Sequence, residues 1–454
     1  MKVAVVGGGV SGLTAAHELR RRLGAHAGID VYESSERPGG LLCTRTIGGQ
    51  PFDVGAEAFI VRRPEAVELV AQLGLSGEVV SPGPLRPAIW SQGRLHAVPA
   101  PAVMGIPATA GSLGDLIDDD ERAAIEAEAR RPLDWAPGAP VSVGALVRDR
   151  FGDGVVARSV DPMLGGVYSA LADDLGLAET VPALAVALDD GAPSLTAAVG
   201  SLTSAPKATG PVFGTLRGGY RRLVDALVSA GGATVLLDAP VTGITPDGAG
   251  YTVDTGHRSA RYDAVVVAVP PWNAAPLLSV IAPESSALLE AVEPAGSAVV
   301  ACVLEPGSPQ PEHSGILVAS DADTFSKAVT LSTRKWPHLD ASGSPALRVS
   351  FGRLGDPVTV DDRTLIDRAT ADLERFFAAV GLAAPAVADV AVQRWPRGIP
   401  HYGPGHLTAM AEAVAALPRG IGLAGAALGG VGVPACIRAA RSAADAVAGG
   451  LTGA

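Results

Sequence analysis

The chain has 454 residues, enough for about three domains. Hydrophobic residues make up 48% of it and charged residues 18%, so a large core is available and a wholly disordered chain is excluded. Its 47 acidic residues outnumber its 35 basic ones, and the net charge of −12 argues against a nucleic-acid partner. The three cysteines are far apart in sequence, which excludes a disulfide framework and paired zinc ligands and favours a reducing cytoplasm.

The first segment of the chain predicts a β-α-β unit. Residues 2–6 form a β-branched run typical of a buried parallel strand. Residues 13–23 place leucine and alanine at helical spacing, and residues 29–32 form a second short apolar run. Two parallel strands joined by a helix bind their ligand beyond the carboxyl ends of the strands. The sequence therefore predicts a Rossmann-like fold at the N-terminus.

The turn between the first strand and the helix has the pattern of a dinucleotide site. Gly7, Gly9 and Gly12 match G-x-G-x-x-G, with Ser11 inside the motif. Glycines at these positions allow a tight turn and close approach of a pyrophosphate, which the positive end of the helix dipole favours. Glu33, at the end of the second strand, can accept hydrogen bonds from a ribose hydroxyl and would repel a 2′-phosphate. The pattern predicts a dinucleotide other than NADP.

Residues 33–40 distinguish between the remaining dinucleotides. In this segment an acid is followed by Ser34, then by Arg37, one variable residue and a glycine pair that ends at Gly40. The segment resembles the extended fingerprint of the flavin amine oxidase and protoporphyrinogen oxidase superfamily, which binds FAD. Leu41 stands where that superfamily usually has a basic residue, so one polar contact to the cofactor is missing from the pattern.

A second segment, residues 52–58, resembles the aromatic-Asp-x-Gly segment of the same superfamily. There the backbone passes beside the flavin. The resemblance implies that the following residues contact the cofactor: Gly55, Ala56, Glu57 and Ala58. For Asp53 two interpretations remain open, a place in this segment beside the flavin and a carboxylate that caps a turn.

The C-terminal region resembles the second flavin-binding segment of the superfamily. Residues 422–425 predict a short strand that ends in glycine, and residues 435–448 predict a helix. The resemblance places the following residues at the cofactor: Gly425, Gly430, Val431, Gly432 and Val433. It also implies a strand at Val241 with a backbone contact to adenine, and a side-chain contact from Trp395 to the flavin. Cys436 is interpreted as a small buried hydrophobe rather than as a covalent flavin attachment.

Two long segments resemble the porphyrinogen oxidases of haem biosynthesis within this superfamily. Residues 159–168 resemble their Pro-x-x-x-Gly-Val-Tyr signature, although residues 169–174 depart from the Ala-Gly-Asp continuation. Residues 394–406 combine an Arg-Trp pair with a Tyr-x-x-Gly-His run, as in bacterial members. The resemblance covers nearly the whole chain.

The resemblance implies an oxygen-dependent oxidase with non-covalent FAD that converts coproporphyrinogen III to coproporphyrin III. This is a six-electron oxidation that releases three H2O2, and a ferrochelatase would receive the product. Positioning in an apolar pocket would supply most of the catalysis, and no side chain is assigned as acid, base or metal ligand. The anionic propionates require local basic side chains, for which the candidates are Arg63 first, then Arg62, Arg86 and Arg397.

Several alternatives remain open. Protoporphyrinogen IX could be the main substrate, because it shares the reacting macrocycle. Another flavin amine oxidase or a carotenoid-type desaturase is disfavoured, because aromatic residues make up 4% of the chain and neither Lys327 nor Lys335 has the context expected of a lysine beside the flavin. A porphyrin carrier that keeps flavin as a structural element is the alternative from another functional class.

The predicted fold class is α/β, with three interleaved parts. They are a discontinuous Rossmann-like FAD-binding domain, a mixed-sheet α+β substrate domain and a helical insert. Their predicted ranges are, in that order, residues 1–82, 206–271 and 391–454; residues 83–105 and 272–390; and residues 106–205.

One uncharged segment, residues 420–437, lies between two arginines. Several glycines and Pro434 interrupt it, so we predict a buried strand, turn and helix there rather than a membrane span. No targeting segment is expected at the N-terminus. The expected location is the cytoplasm, with peripheral membrane contact as the open alternative.

Overall fold

A central parallel sheet organises the protein, whose computed structural model describes residues 1–205 and 209–453. The sheet draws its strands from the beginning, the middle and the end of the chain. In spatial order they are Thr234–Leu236, Gly28–Tyr32, Lys2–Val6, Ala264–Val267 and Ile421–Leu423. The three inner strands are mostly apolar and mostly buried, as expected for a parallel sheet covered on both faces.

Different elements cover the two faces of this sheet. One face packs against four helices: Val10–Leu23, Pro64–Gln72, Arg221–Gly231 and Val433–Leu451. The other face packs against an antiparallel meander and three helices: Gly243–Asp247, Gly250–Asp254, Ser259–Tyr262, Pro271–Leu278, Pro283–Glu290 and His406–Ala415. The discontinuous Rossmann-like arrangement follows from this topology.

Short strands extend the same part of the molecule. Thr44–Ile47 pairs with Gln50–Asp53 in an antiparallel hairpin. A three-stranded sheet joins Phe59–Ile60 and Val79–Val80 to the two ends of Phe213–Leu216. A 3-10 turn, Ser76–Glu78, precedes the strand at Val79.

A second, larger sheet has seven strands and mixed pairing. Its spatial order is Val387–Pro400, Pro294–Leu304, Ala346–Phe351, Ala328–Thr330, Gly315–Val318, Ala88–Ser91 and Arg94–Ala97. One pair is parallel and the others are antiparallel. The apolar side of helix Asp362–Ala378 packs on this sheet. The short helix Ser332–Lys335 contacts the strands Ala346–Phe351 and Gly315–Val318, and the 3-10 helix Pro337–Ser342 follows it in the chain.

The helical insert has its own apolar core. Its elements are Ala102–Val103, Ile106–Pro107, Ala110–Leu113, Asp119–Ala127, Glu128–Arg130, Val143–Phe151, Asp153–Val155, Val156–Val160, Asp161–Tyr168, Leu177–Thr180, Pro182–Asp189 and Leu195–Ser204. Together the three parts show the predicted α/β class, with a mixed α+β sheet and a helical insert. Strand Val387–Pro400 runs across the predicted boundary at 390/391, and the boundary at 205/206 coincides with the end of the first described range.

A buried ion pair lies at the centre of the insert. Arg150 Nε donates to Glu128 Oε1 at 3.0 Å, and their side chains are 2% and 0% exposed. The carboxylate also accepts hydrogen bonds from the backbone amides of Leu195 and Thr196. Because these bonds come from two helices distant in sequence, the pair ties the early and late helices of the insert together.

Three boundaries differ from the sequence predictions. The first helix begins at Val10 rather than at residue 13, because Gly9 already has the extended conformation of an N-cap. The C-terminal helix begins at Val433, with Pro434 in its first turn, where a missing amide costs nothing. Val241 lies in the loop that precedes strand Gly243–Asp247 rather than in a strand.

The segment 420–437 has the predicted strand, turn and helix. Among residues 1–205 and 209–453, no helix has both the length and the apolar character required to cross a membrane.

Candidate cofactor and substrate site

A cavity of about 400 Å³ lies at the carboxyl ends of the central strands. The first helix and the C-terminal helix both begin at its wall. Eleven residues predicted at the cofactor line it together: Gly7, Gly9, Ser11, Glu33, Ser34, Gly40, Ala56, Val241, Gly425, Val431 and Val433. The topology therefore brings both ends and the middle of the chain to one site.

The glycine turn after the first strand is tightly packed at Gly12 and open towards the cavity at Gly9. A Cβ atom on Gly12 would lie 1.8 Å from the carbonyl oxygen of Gly7, so close packing of helix and turn requires glycine there. Gly7 itself has a φ of +109°, which glycine adopts readily. A Cβ on Gly9, by contrast, would meet no atom within 4 Å, because it would project into the cavity. This open cradle at a helix N-terminus fits a diphosphate.

Glu33 is fixed on the wall of the cavity by backbone amides. Its Oε2 accepts a hydrogen bond from the Gly8 amide at 2.9 Å. Its Oε1 accepts hydrogen bonds from the amide of Ser35 at 2.8 Å and from the hydroxyl of Ser35 at 2.7 Å. These bonds hold the carboxylate in one orientation on the cavity wall, which suits recognition of a ribose.

Arg37 lies behind the cavity rather than on its wall. Its guanidinium donates to the carbonyl oxygen of Gly40 at 2.9 Å. The Gly39 amide in turn donates to the carbonyl of Gly8 at 2.8 Å. Arg37 therefore helps to hold the Gly39–Gly40 pair in contact with the glycine turn at Gly8.

Gly55 and Trp395 support the wall from behind. A Cβ on Gly55 would lie 1.9 Å from the Leu41 carbonyl oxygen and 3.3 Å from the indole of Trp395. The indole Nε1 donates to the carbonyl of Val54 at 3.0 Å. Trp395 thus packs on the backbone that leads to Ala56, which lines the cavity.

The side chain of Glu57 belongs to a separate polar cluster. It accepts hydrogen bonds from Lys335 Nζ at 3.1 Å and from Trp336 Nε1 at 2.8 Å, and Arg348 Nη1 lies 3.9 Å away. Burial raises the pKa of Glu57, but the two cations outweigh it and hold the pKa below its usual value. This carboxylate lines a second cavity of about 30 Å³, and the half-buried Ala58 lines neither cavity.

Asp53 caps a backbone segment. Its carboxylate accepts hydrogen bonds from the amide of Tyr220 at 3.1 and 3.2 Å and from the hydroxyl of Thr44. Burial raises the pKa of Asp53 to about 6. Of the two interpretations, the structure shows the capping carboxylate.

The loop before the C-terminal helix depends on Tyr402. Its hydroxyl accepts a hydrogen bond from the Gly430 amide at 2.6 Å and donates to the carbonyl of Ala426. Gly425 and Gly430 have φ values of +145° and +132°, which only glycine adopts without strain. Gly430 and the neighbouring Gly432 shape this loop without lining the cavity.

Sequence reasoning did not assign a role to Tyr402, although the Tyr-x-x-Gly-His run contains it. Its ring packs 4.4 Å from His406 and 5.7 Å from Tyr168 of the insert, measured between ring centroids. Burial lowers the pKa of His406, whose Nε2 lies 2.8 Å from the carbonyl oxygen of Ala427. In the described residues no group of three or more His, Cys, Asp or Glu side chains is placed to hold a metal.

The thiol of Cys436 lines the main cavity. Burial raises the pKa of this thiol to about 11, so it is neutral at physiological pH. The predicted small buried residue is what the structure shows.

Known proteins resemble this chain over nearly its whole length. A family model described as flavin containing amine oxidoreductase matches residues 10–448. The chain belongs to this family. A relative named coproporphyrinogen III oxidase from Mycobacterium tuberculosis (strain ATCC 25618 / H37Rv) is 46% identical over 98% of this chain and 96% of its own length. Another of that name, from Propionibacterium freudenreichii subsp. freudenreichii, is 32% identical over 98% of this chain and 90% of its own length.

A solved structure shares the fold. It comes from Exiguobacterium sp. 255-15 and is provisionally assigned as a protoporphyrinogen oxidase. The TM-score is 0.86 at 27% identity, and 98% of each chain is covered. The predicted superfamily, the flavin cofactor and the oxidoreductase class are therefore confirmed.

Three of the four candidate arginines lie away from the main cavity of this flavin amine oxidoreductase. Arg62 is exposed and donates to the carbonyl of Gly210 at 2.9 Å. Arg63 is exposed at the N-cap of helix Pro64–Gln72, and Arg86 is exposed just before the large sheet. None of these three side chains lines the main cavity.

The fourth, Arg397, lies at the cavity rim. Its guanidinium carbon is 5.0 Å from the ring centroid of Trp272, which lines the cavity. Trp272 was missed by the sequence reasoning. It follows a proline pair directly after a central strand, and the rule that ligands bind at the carboxyl ends of parallel strands could have identified it.

A buried lysine joins the insert to the large sheet of this flavin amine oxidoreductase. Lys327 Nζ donates to the Ser169 hydroxyl at 2.6 Å and to the carbonyl of Gly352 at 2.7 Å. Burial lowers the pKa of Lys327 to about 7, and Arg353 adds to this effect. The charged amine is therefore costly to bury at neutral pH.

Lys327→Met is expected to stabilise the protein more at pH 6 than at pH 10. Between pH 7 and 10.5, the native and usual pKa values, the unfolded chain binds a proton that the native chain does not. Wild-type stability therefore gains up to about 1.4 kcal/mol per pH unit from this residue as pH rises, and methionine removes that gain. Urea unfolding of both proteins at the two pH values measures the difference. If the stability difference between Lys327→Met and wild type did not become smaller towards pH 10, burial of the charged lysine would not be the cause.

Proposed function

We propose that this chain is an FAD-dependent oxidase that converts coproporphyrinogen III to coproporphyrin III with O2 as acceptor. The observation that carries the proposal is the near-full-length similarity to relatives named coproporphyrinogen III oxidase, together with a dinucleotide-shaped cavity at two helix N-termini. The anionic product would pass to a ferrochelatase. That contact, and the cytoplasmic location, stay predictions.

The residues present fit non-covalent FAD. The open cradle at Gly9 would take the diphosphate, Glu33 the ribose and the backbone of Val241 the adenine. The neutral thiol of Cys436 supports non-covalent binding, because a thiolate is the form that attacks. Bound FAD would accept two electrons from the substrate in each of three turnovers and return them to O2 as H2O2.

The protein's own contribution is positioning. The cavity wall at Ala56, which Gly55 and Trp395 support from behind, would fix the plane in which the substrate approaches the cofactor. The Tyr402 hydroxyl fixes the loop before the C-terminal helix. Because electron-rich pyrroles stabilise positive charge themselves, the reaction requires no strong side-chain base, and none is assigned.

Arg63, Arg62 and Arg86 are proposed to attract the propionates. They are exposed on a chain whose net charge is −12, so each provides local positive charge against an unfavourable overall field. Arg63 is the first candidate because its position matches the substrate-side basic residue of porphyrinogen oxidases.

Arg63→Ala is expected to raise KM for coproporphyrinogen III several-fold, while kcat changes less. The lost interaction is made by the propionates in the ground state and the transition state alike, so it contributes uniform binding. Steady-state porphyrin fluorescence measures both constants. Arg363→Ala, whose side chain is 83% exposed on a distant helix, is the matched control. Equal KM values for both variants would remove Arg63 from the substrate site.

The proposed reaction is tested with the purified holoprotein and coproporphyrinogen III in air. Porphyrin fluorescence should rise with three H2O2 per porphyrin, and the flavin absorbance should bleach when substrate is added without oxygen. A flavin that substrate never bleaches would contradict the oxidase and favour a carrier. The ratio of kcat/KM for coproporphyrinogen III and protoporphyrinogen IX decides between the two substrates.

A further inference from the structure

Trp272 and Arg397 form a stacked pair on one rim of the main cavity. The guanidinium carbon of Arg397 lies 5.0 Å from the indole centroid, within the range of a cation–π contact. Trp272 is half-buried and lines the cavity, as does Gly398, the neighbour of Arg397. An exposed cation is thus fixed beside a cavity that fits an anionic ligand.

The helix that carries Trp272 lies beside the nucleotide end of the cavity. The Ala239 amide donates to the carbonyl of Glu33 at 2.9 Å, so the segment leading to Val241 runs beside the ribose-binding carboxylate. Helix Pro271–Leu278 packs against the same segment, because its Leu277 shares an apolar cluster with Val241. Trp272 projects from the first turn of that helix, next to this end.

We propose that Trp272 and Arg397 bind the ADP half of the dinucleotide, a role that rests on the FAD assignment of the proposed function. The indole provides an aromatic surface for the adenosine, and the guanidinium adds positive charge for the diphosphate. The stacking contact holds the arginine in place before the ligand arrives, which lowers the entropy cost of binding. Arg397 then acts on the cofactor rather than on a propionate.

The test uses fragments of the cofactor as probes. The full-length chain is freed of flavin by dialysis and titrated calorimetrically with FAD, ADP and FMN. For Trp272→Leu we expect affinities for FAD and ADP about tenfold weaker than wild type, and an unchanged affinity for FMN. For Arg397→Ala we expect a loss for ADP that shrinks as salt is raised, because the contribution is electrostatic.

Two controls separate this role from loss of structure. Arg368→Ala removes another cation–π pair, 4.8 Å from the Phe325 ring, and should leave all three affinities unchanged. Trp272→Phe keeps an aromatic ring and should retain most of the ADP affinity.

Two results would overturn the inference: ADP affinity of Trp272→Leu equal to wild type, or FMN affinity weakened as much as ADP affinity. A wild-type chain that binds neither FAD nor ADP would instead overturn the proposed cofactor, and this inference with it. If the protein does not oxidise porphyrinogen, the titrations with FAD, ADP and FMN can still be interpreted. The two proposals can therefore be rejected independently.

Discussion

Gly12→Ala is expected to destabilise the flavin-binding part of the protein and to abolish retention of the flavin. The new Cβ would lie 1.8 Å from the Gly7 carbonyl oxygen and 3.3 Å from a methyl group of Val5. Both the turn and the helix would have to move, and overpacking of this kind costs about 1–3 kcal/mol or more. The displaced turn would no longer present its amides to a diphosphate. Urea unfolding and the flavin-to-protein absorbance ratio measure the two effects.

Gly9→Ala is the matched variant, which we expect to lose flavin without losing stability. Its Cβ would meet no atom within 4 Å, and the φ of −73° suits any residue. The stability of the flavin-free chain should therefore remain within about 0.5 kcal/mol of wild type. Flavin should still be lost, because the methyl group fills the cradle. If the two variants behaved alike, the cradle would not be the diphosphate site.

This contrast also explains why the N-terminal unit could be predicted. Strand Lys2–Val6, the glycine turn and Glu33 are fixed by a local pattern, since backbone conformation and spacing decide the geometry. The cavity lining agrees with the pattern at most of its positions. Arg37 lies in the same local motif but hydrogen-bonds to the Gly40 carbonyl and does not line the cavity.

The remainder of the site depends on contacts between distant segments. Tyr402 reaches Gly430 only because the large sheet ends beside the C-terminal loop, and Arg397 meets Trp272 across separate elements. Glu57 was predicted at the flavin from its position in the chain. Its side chain joins Lys335, which ends the short helix Ser332–Lys335 and lies 278 residues further along the chain. No spacing in one sequence reveals such pairings, because each partner alone resembles an ordinary surface residue.

The stability of the helical insert also depends on a contact between distant residues that the sequence does not reveal. Its helices are short, and one of them begins at a local signal, because Asp118 caps the helix and pairs with Glu121 in a capping box. Glu128 and Arg150 resemble solvent-facing charges in the sequence, yet both are buried. Their pairing depends on the tertiary fold. Breaking this ion pair is expected to lower the free energy of unfolding more than any other single change in the insert.

Arg150→Met is expected to destabilise the protein by about 3–5 kcal/mol, because it leaves the buried Glu128 carboxylate without its cation. Arg148→Met is the matched control. Arg148 is two residues away and pairs with Asp153 and Asp173 near the surface, so its loss should cost at most about 1 kcal/mol. Urea unfolding followed by circular dichroism measures both.

The double variant Glu128→Gln with Arg150→Met separates charge from packing. Removing the carboxylate charge should recover part of the stability lost in Arg150→Met, since a neutral amide is cheaper to bury unpaired than an ion. Equal stability of the single and double variants would contradict the uncompensated charge as the cause. Because Tyr168 of the insert packs on Tyr402, which holds the Gly430 amide, loosening the insert should also speed flavin release from the holoprotein. A stability loss without faster release would show that the insert and the cofactor loop are energetically independent.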